Sequence, residues 1–217
     1  MNTEEIKLVV FDLDGTLVDS AQTIFDSTIA ALDQLNVRHS LTKELLDQRI
    51  GAHFQDIFDE QGIIVDDFEG FIDVYKGYYF DYMDSSYLYP GVVETLKYLK
   101  ANGKKISLLT TKAQEQADKI ITHFELDDYF DFVMGRRVGM AVKPAPDPLL
   151  FVCSTLGVET RHALMVGDTE LDVQCGIAAG VSTVAVTYGY RSAEQLKTES
   201  PEYIIHGLQE LKNIFIN

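Results

Sequence analysis

The chain has only two cysteines, Cys153 and Cys175, with no Cys-x-x-Cys pair and no histidine at metal-ligand spacing from either. That scarcity argues against a disulfide framework or a zinc site, and both are expected as buried reduced thiols. Positive charge is also sparse: 18 Lys and Arg stand against 34 Asp and Glu, a net charge of −16. A surface this acidic repels nucleic acid and anionic membranes, and no basic cluster offsets it. No apolar run reaches the ~18 residues that a membrane helix needs. The start, Met1-Asn2-Thr3-Glu4-Glu5, lacks the basic residues and the long apolar stretch of a signal peptide. The expected setting is therefore cytoplasmic, with no membrane and no nucleic acid as partner.

What the chain does have is a large ordered core. Its 217 residues are 46% hydrophobic, enough for one domain with a smaller insertion and too apolar for a mainly disordered chain. There is no internal repeat and no low-complexity stretch. Lys7 to Phe11 is a short, nearly continuous apolar run that reads as a strand buried on both faces. Similar runs are Lys105 to Leu109, Ala163 to Val166 and Ser182 to Val186, with shorter ones at Phe132 to Met134 and Tyr203 to Ile205. Helical patterns lie between them: Val92 to Ala101, ended by Gly103, then Ala113 to Phe124, Pro148 to Leu156 and Leu171 to Ala179. Strand and helix alternate, which predicts an α/β fold with a doubly wound, mostly parallel, Rossmann-like sheet.

One interval breaks the alternation. From about Leu17 to Ser85 only helical stretches are visible, marked by Ile24 to Leu35, Leu41 to Ile50 and Val65 to Met83. About seventy residues are too many for a scaffold loop, so an inserted all-helical domain is expected. The division predicted is a core of 1–17 and 86–217 with a helical insertion of 18–85, hinged near Val18 and Tyr89-Pro90-Gly91.

Chemistry gathers at the ends of the predicted strands. The first closes on Asp12-Leu13-Asp14-Gly15-Thr16. Two carboxylates two apart in an extended segment point to one side, at the carboxyl edge where open α/β sheets bind ligands. Taken alone, the pair also fits a strand-terminating turn. The second predicted strand ends in Leu109-Thr110-Thr111-Lys112, where a threonine could equally be a helix cap. Lys143-Pro144-Ala145-Pro146-Asp147-Pro148 puts one cation in a stiff loop, with Asp147 expected as N-cap and Pro148 at the first helical position. Gly167-Asp168-Thr169-Glu170-Leu171-Asp172 puts two carboxylates four apart, expected on one face of a helical turn; an acidic first turn is the plainer alternative. Together these ends offer a carboxylate pair, a hydroxyl, a lysine and a second carboxylate pair. Several oxygens converging on one edge suit a hard cation such as Mg²⁺, and a phosphate site in so acidic a protein needs local cations.

On those motifs the chain is identified as a member of the haloacid dehalogenase superfamily of hydrolases, in its phosphatase branch with a helical cap. Asp12 to Thr16 matches the first motif, Thr110 the second, Lys143-Pro144 the third and Gly167 to Asp172 the fourth. The resemblance implies that Asp12 attacks phosphorus and carries the phosphoryl group, while Asp14 protonates the leaving oxygen and later activates water. It implies that Thr110 and the Thr111 backbone bind phosphoryl oxygens and that Lys143 neutralises charge. Mg²⁺ is implied on Asp12, the Asp14 carbonyl, Asp168 and Asp172. Relatives often carry Asn where Thr111 stands, so altered substrate contacts are expected there with the chemistry retained. Asp14 favours phosphoryl transfer, because true dehalogenases lack this acid.

The overall pattern, including Asp19-Ser20 and Tyr188-Gly189-Tyr190, is nearest to phosphoglycolate phosphatases. Arg49 to Phe54 resembles their cap loop, which makes Arg49 and His53 candidates for substrate binding, although a surface arginine and a helix-start histidine explain them as well. Tyr75, Tyr78, Tyr79 and Tyr82 form a helical stripe expected in the core of the insertion. The expected partner is a small phosphorylated metabolite, with the chain a monomer or homodimer. A β-phosphoglucomutase-like mutase, an inorganic pyrophosphatase and a nucleoside monophosphatase would all use the same residues.

Overall fold

The computed structural model describes residues 5–215. The chain divides into two compact units, Met1–Leu17 with Leu88–Asn217, and Val18–Tyr87.

In the first unit, apolar runs become strands. β1 (Leu8–Phe11) is fully buried. It is the third of six parallel strands, the others being β4 (Lys105–Ala113), β5 (Phe132–Arg136), β6 (Ala163–Gly167), β7 (Ser182–Val186) and β8 (Tyr203–Ile205). Their order is β5-β4-β1-β6-β7-β8, so the topology reverses on either side of β1. β2 (Val18–Asp19) and β3 (Tyr87–Leu88) pair as a separate ribbon. Register sets Phe11 opposite Leu108 on one side and Val166 on the other, so the segments following β1, β4 and β6 emerge at one edge. That edge is where α/β sheets bind ligands. Helices α5 (Val92–Ala101), α6 (Gln114–His123), α7 (Asp147–Leu156), α8 (Glu170–Ala179), α9 (Ala193–Thr198) and α10 (Leu211–Ile214) link and cover the strands. Both cysteines are buried and free, and burial pushes their thiols up to about 11 for Cys153 and about 12 for Cys175.

The second unit holds α1 (Ala21–Gln34), α2 (Lys43–Asp47), α3 (Phe54–Gln61) and α4 (Phe68–Asp81). Its core is aromatic: Phe58 packs on Phe71 at 4.9 Å between ring centroids, and Phe54 meets Tyr75 edge-on at 4.8 Å. The tyrosine stripe divides. Tyr75 and Tyr79 are core residues, whereas Tyr82 is exposed and stacks with Tyr78, whose hydroxyl donates to Gln34 Oε1.

Several boundaries differ from the sequence expectations. The helix expected over 41–50 is only Lys43–Asp47, and α3 forms where no separate helix is expected beyond a helix-start reading of His53. β4 runs four residues past Leu109, with a register irregularity between Leu109 and Ala113. Pro146, not Asp147, is the N-cap of α7, so Asp147 is the first helical residue and Pro148 the second. Among the described residues, no helix is long and apolar enough to cross a membrane.

Candidate active site

Asp12 directly follows β1, and its N–H donates to Val166 O at 2.9 Å, which fixes the chain as it leaves the sheet. Gly15 then takes φ +83, a conformation that a side-chain-bearing residue rarely adopts. A Cβ at Gly15 would also collide with the Asp168 carboxylate. The turn after β1 is thus packed directly against the end of β6.

Asp168 lies between β6 and α8, and Thr169 is the N-cap, so Asp168 and Asp172 do not share a helical face as expected. They converge differently, Asp168 from the strand end and Asp172 from the first helical turn. Asp168 is held at both oxygens: Thr16 Oγ1 donates to Oδ1 at 3.0 Å and Tyr190 N–H to Oδ2 at 2.8 Å. Asp172 accepts from the Thr169 N–H at 3.1 Å and hydroxyl at 2.7 Å. Carboxylate oxygens of Asp12, Asp168 and Asp172 all lie within 4.8 Å of one another, and all three residues are buried.

Lys143 reaches this cluster from the loop before α7. Its ammonium donates to Asp12 Oδ1 at 2.7 Å and Asp172 Oδ1 at 2.5 Å. Burial pushes the Asp12 carboxyl up to about 7 against the pull of Lys143, with Asp172 and Asp14 adding to the rise. Burial, then Asp12 and Asp172, holds Asp168 well above the ordinary carboxylate range. Burial works against the Lys143 charge, yet Asp12 and Asp172 outweigh it and raise that group instead. Burial is the largest cause of the rise at both carboxyls, and the neighbouring carboxylates add to it. A second lysine, Lys112, pairs with Asp14 at 3.3 Å. Two lysines against four carboxylates leave a formal excess of two negative charges, which a divalent cation would balance. Oxygen donors and the absence of a soft ligand from the cluster fit a hard ion.

A family model described as haloacid dehalogenase-like hydrolase matches residues 9–186. The chain belongs to this family. Among curated relatives of this hydrolase, phosphoglycolate phosphatase 1 of Pseudomonas aeruginosa is 34% identical over 216 residues, covering 94% of this chain and 78% of the relative. The phosphoglycolate phosphatase of Haemophilus influenzae is 32% identical over 225 residues, covering 99% of this chain and all of the relative. A solved structure described as a predicted phosphoglycolate phosphatase from Haemophilus somnus 129PT aligns at TM-score 0.84 with 29% identity, over 97% of this chain and 98% of that one.

Of the residues that sequence singled out in this hydrolase, Asp12, Lys143, Asp168 and Asp172 meet directly. Asp14 and Thr110 are buried in the same unit, and Thr110 Oγ1 accepts from the Lys112 N–H at 3.2 Å. Thr111 follows within β4 and is partly buried. Arg49 and His53 lie in the helical unit and have local duties there. Arg49 pairs with Glu60 at 2.6 Å; His53 caps α3 through Nδ1, and its ring stacks on Phe68.

Thr16, Lys112 and Gly189 stand within segments that the sequence singles out, yet no role of their own is expected of them there. Lys112 was findable: Thr110 and Lys112 are two apart in an extended segment, the same argument that paired Asp12 with Asp14. Gly189 abuts the Gly15 carbonyl and the Asp168 carboxylate so closely that a Cβ would collide with both. Tyr188, its hydroxyl donating to Thr16 O at 2.8 Å, anchors the same segment.

Proposed function

We propose that this hydrolase is a magnesium-dependent phosphatase of the cytoplasm, cleaving a small phosphate monoester of the phosphoglycolate kind through a phosphorylated Asp12. The observation that carries the reading is the Asp12 carboxylate at the end of the central strand, gripped by Lys143 at 2.7 Å and grouped with two further buried carboxylates. The relatives' names support the substrate class, and two buried free thiols fit a reducing compartment.

In this reading Asp12 attacks phosphorus, and the P–O bond to the alcohol breaks as Asp14 gives the departing oxygen a proton. Asp14, now ionised, takes a proton from water. That water's oxygen bonds to phosphorus, the Asp12–phosphorus bond breaks, and inorganic phosphate leaves. Lys143 offsets charge on Asp12 and on the transferring group throughout. Thr110 and the Thr111 N–H are assigned to phosphoryl oxygens. Mg²⁺ would be held by Asp12, the Asp14 carbonyl, Asp168 and Asp172, and when bound would supply charge neutralisation and orientation of the phosphate. The helical unit is assigned to substrate selection as a cap, with Arg49 and His53 its candidate contacts.

The test is phosphate release from phosphoglycolate with and without Mg²⁺. Release is expected only with the metal, and Asp12→Asn should fold while losing at least ~10³-fold in kcat, as for removal of a nucleophile. An Asp12→Asn variant retaining a tenth of the rate would overturn the assignment. Isomerised sugar phosphate in place of free phosphate would mark a mutase.

A further inference from the structure

We infer that Gln114 is a positioning residue for the phosphoryl site: its side-chain amide fastens the chain to β5 just after the stretch 110–112 and so fixes where that stretch stands. The inference rests on the phosphatase reading above, which assigns phosphoryl oxygens to Thr110 and the Thr111 N–H, and it names the residue that holds those groups in place.

Register carries the argument. β4 and β5 pair in step up to Leu109 opposite Met134, and the next pair is Ala113 opposite Arg136. Between those pairs β4 has three residues, Thr110, Thr111 and Lys112, whereas β5 has only Gly135. An uneven count of this kind bends the longer strand and re-aims its side chains. It also leaves the bent stretch without a regular ladder to hold it, so its position depends on what anchors its two ends. The first anchor is the pairing at Leu109. The second is Gln114, the first residue of α6: its Nε2 donates to Val133 O at 3.1 Å, and its Oε1 accepts from the Gly135 N–H at 2.9 Å. A C=O and an N–H two residues apart are the groups that a neighbouring parallel strand would bond, so one side chain here does the work of a strand residue. Nε2 also donates to Asp118 Oδ1 at 2.9 Å, which uses both amide hydrogens and settles the orientation of the group. Gly135 fits the same arrangement, because a Cβ there would collide with the Gln114 backbone and keep the chain from coming down onto β5. Thr110, Gly135 and Lys143 line one cavity, so the interrupted pairing lies next to the lysine bonded to Asp12.

A simpler role would have Gln114 only cover β5, which is the edge strand of the sheet. That role affects stability and leaves phosphate binding alone, so ligand affinity separates the two. The probe is inorganic phosphate, the product, as a competitive inhibitor of phosphoglycolate hydrolysis at saturating Mg²⁺, with each protein assayed well below its unfolding midpoint. Gln114→Leu keeps the bulk and removes the amide. It should weaken phosphate inhibition about ten- to a hundred-fold, the range for losing a hydrogen bond to a charged group, with a comparable fall in kcat/KM. The Mg²⁺ dissociation constant, measured calorimetrically without phosphate, should stay within about twofold, because Gln114 shares no partner with Asp12, Asp168 or Asp172. Gln114→Asn, one methylene shorter, should give the same split at a half-buried position with the least disturbance of folding. Unchanged phosphate inhibition in either variant would overturn the inference and leave Gln114 a cover for the edge. Mg²⁺ affinity weakened as much as phosphate affinity would overturn it too, since the whole site would then have been distorted. A wild type that releases no phosphate from small monoesters would instead overturn the phosphatase reading.

Discussion

The two units bury polar groups in opposite ways. In the helical unit, the buried groups are neutral hydroxyls: Ser27 donates to Thr23 O and Thr28 to Ile24 O, each one turn back at 2.6 Å, and Thr23 meets Ser86, 63 residues on, at 2.7 Å. In the α/β unit, the buried polar groups include four aspartates and a lysine, and several find partners far away in sequence. Lys143 meets Asp12 across 131 residues, and Thr16 meets Asp168 across 152. Hydroxyl bonds leave no net charge behind. A cluster of buried carboxylates does, and it costs stability unless cations complete it. The helical unit is held by aromatic and aliphatic packing with neutral hydroxyl bonds, whereas the α/β unit holds a charge imbalance at its candidate site.

The sharpest break between them should appear with pH. A carboxyl raised from 3.8 to about 7 on folding binds a proton more tightly in the folded than in the unfolded chain. Its stabilising contribution is complete below the unfolded value near 4 and is lost as pH rises through 7. At ~1.4 kcal/mol per pH unit the linkage reaches ~4 kcal/mol from Asp12, with Asp168 raised in the same direction. Metal-free protein should therefore unfold at a lower temperature at pH 8 than at pH 5. Mg²⁺ should stabilise more at pH 8, because its ligands must be ionised. Asp12→Asn removes part of that slope while leaving all five histidines in place. A metal-free midpoint that is flat between pH 5 and 8 would contradict the charge imbalance.

Next in size is a change confined to the aromatic side. Phe71 is fully buried and packs against Phe54, Phe58 and Tyr75. Phe71→Ala should destabilise the helical unit by about 3–5 kcal/mol. Because no charge is involved, the loss should hardly vary with pH, and Mg²⁺ affinity should stay within about twofold of wild type. Hydrogen exchange across α1 to α4, followed beside a calorimetric metal titration, would check both. Faster exchange spread equally over β1 and β6 would mean that the two units do not lose structure separately.

The same contrast explains what the sequence could disclose. β1 and β6 were legible because both faces of each are buried, which leaves unbroken apolar runs with chemistry at their ends. Asp12, Asp14, Asp168 and Asp172 could be singled out because each stands near a strand end or helix start, and Lys143 because the turn chemistry of its loop left that cation unexplained. α3 was not marked: Phe54, Ile57 and Phe58 do stand at i, i+3 and i+4, but over five residues such a pattern is too short to be decisive. The convergence of Asp168 and Asp172 was expected for the wrong local reason. It comes from a strand end meeting a helix start, and spacing alone cannot tell that from two residues on one helix. Thr16 and Gly189 were visible only as members of their motifs, with no role of their own. What matters about them is contact with Asp168 and its neighbours at the sheet edge, and nothing local marks Thr16 for a partner 152 residues away.

The smallest predicted effect is also the most selective, because one methyl group can be added to either unit. Gly77 lies inside α4 with nothing within 4 Å of a Cβ added there. Gly77→Ala should stabilise α4 by up to ~1 kcal/mol, as expected for a helix interior, and leave metal binding untouched. Gly189 is the opposite case, since its added Cβ would collide with the Gly15 carbonyl and the Asp168 carboxylate. Neither neighbour can yield cheaply. Asp168 is bonded at both oxygens, by Thr16 and by the Tyr190 N–H. The glycine's own segment is tied down by Tyr188, which bonds Thr16 O and packs on Tyr89 with ring centroids 4.7 Å apart. The methyl must therefore shift Asp168 or break the Tyr190 bond, and either one disturbs the orientation of a proposed metal ligand. Loss of such outer support typically weakens metal binding ten- to a hundred-fold. Gly189→Ala should raise the Mg²⁺ dissociation constant by about that factor, measured calorimetrically without substrate, and excess Mg²⁺ should restore most of the phosphate release. Unchanged metal affinity in Gly189→Ala would show that the 188–190 segment merely fills space beside Asp168, and that the charge cluster stands without it.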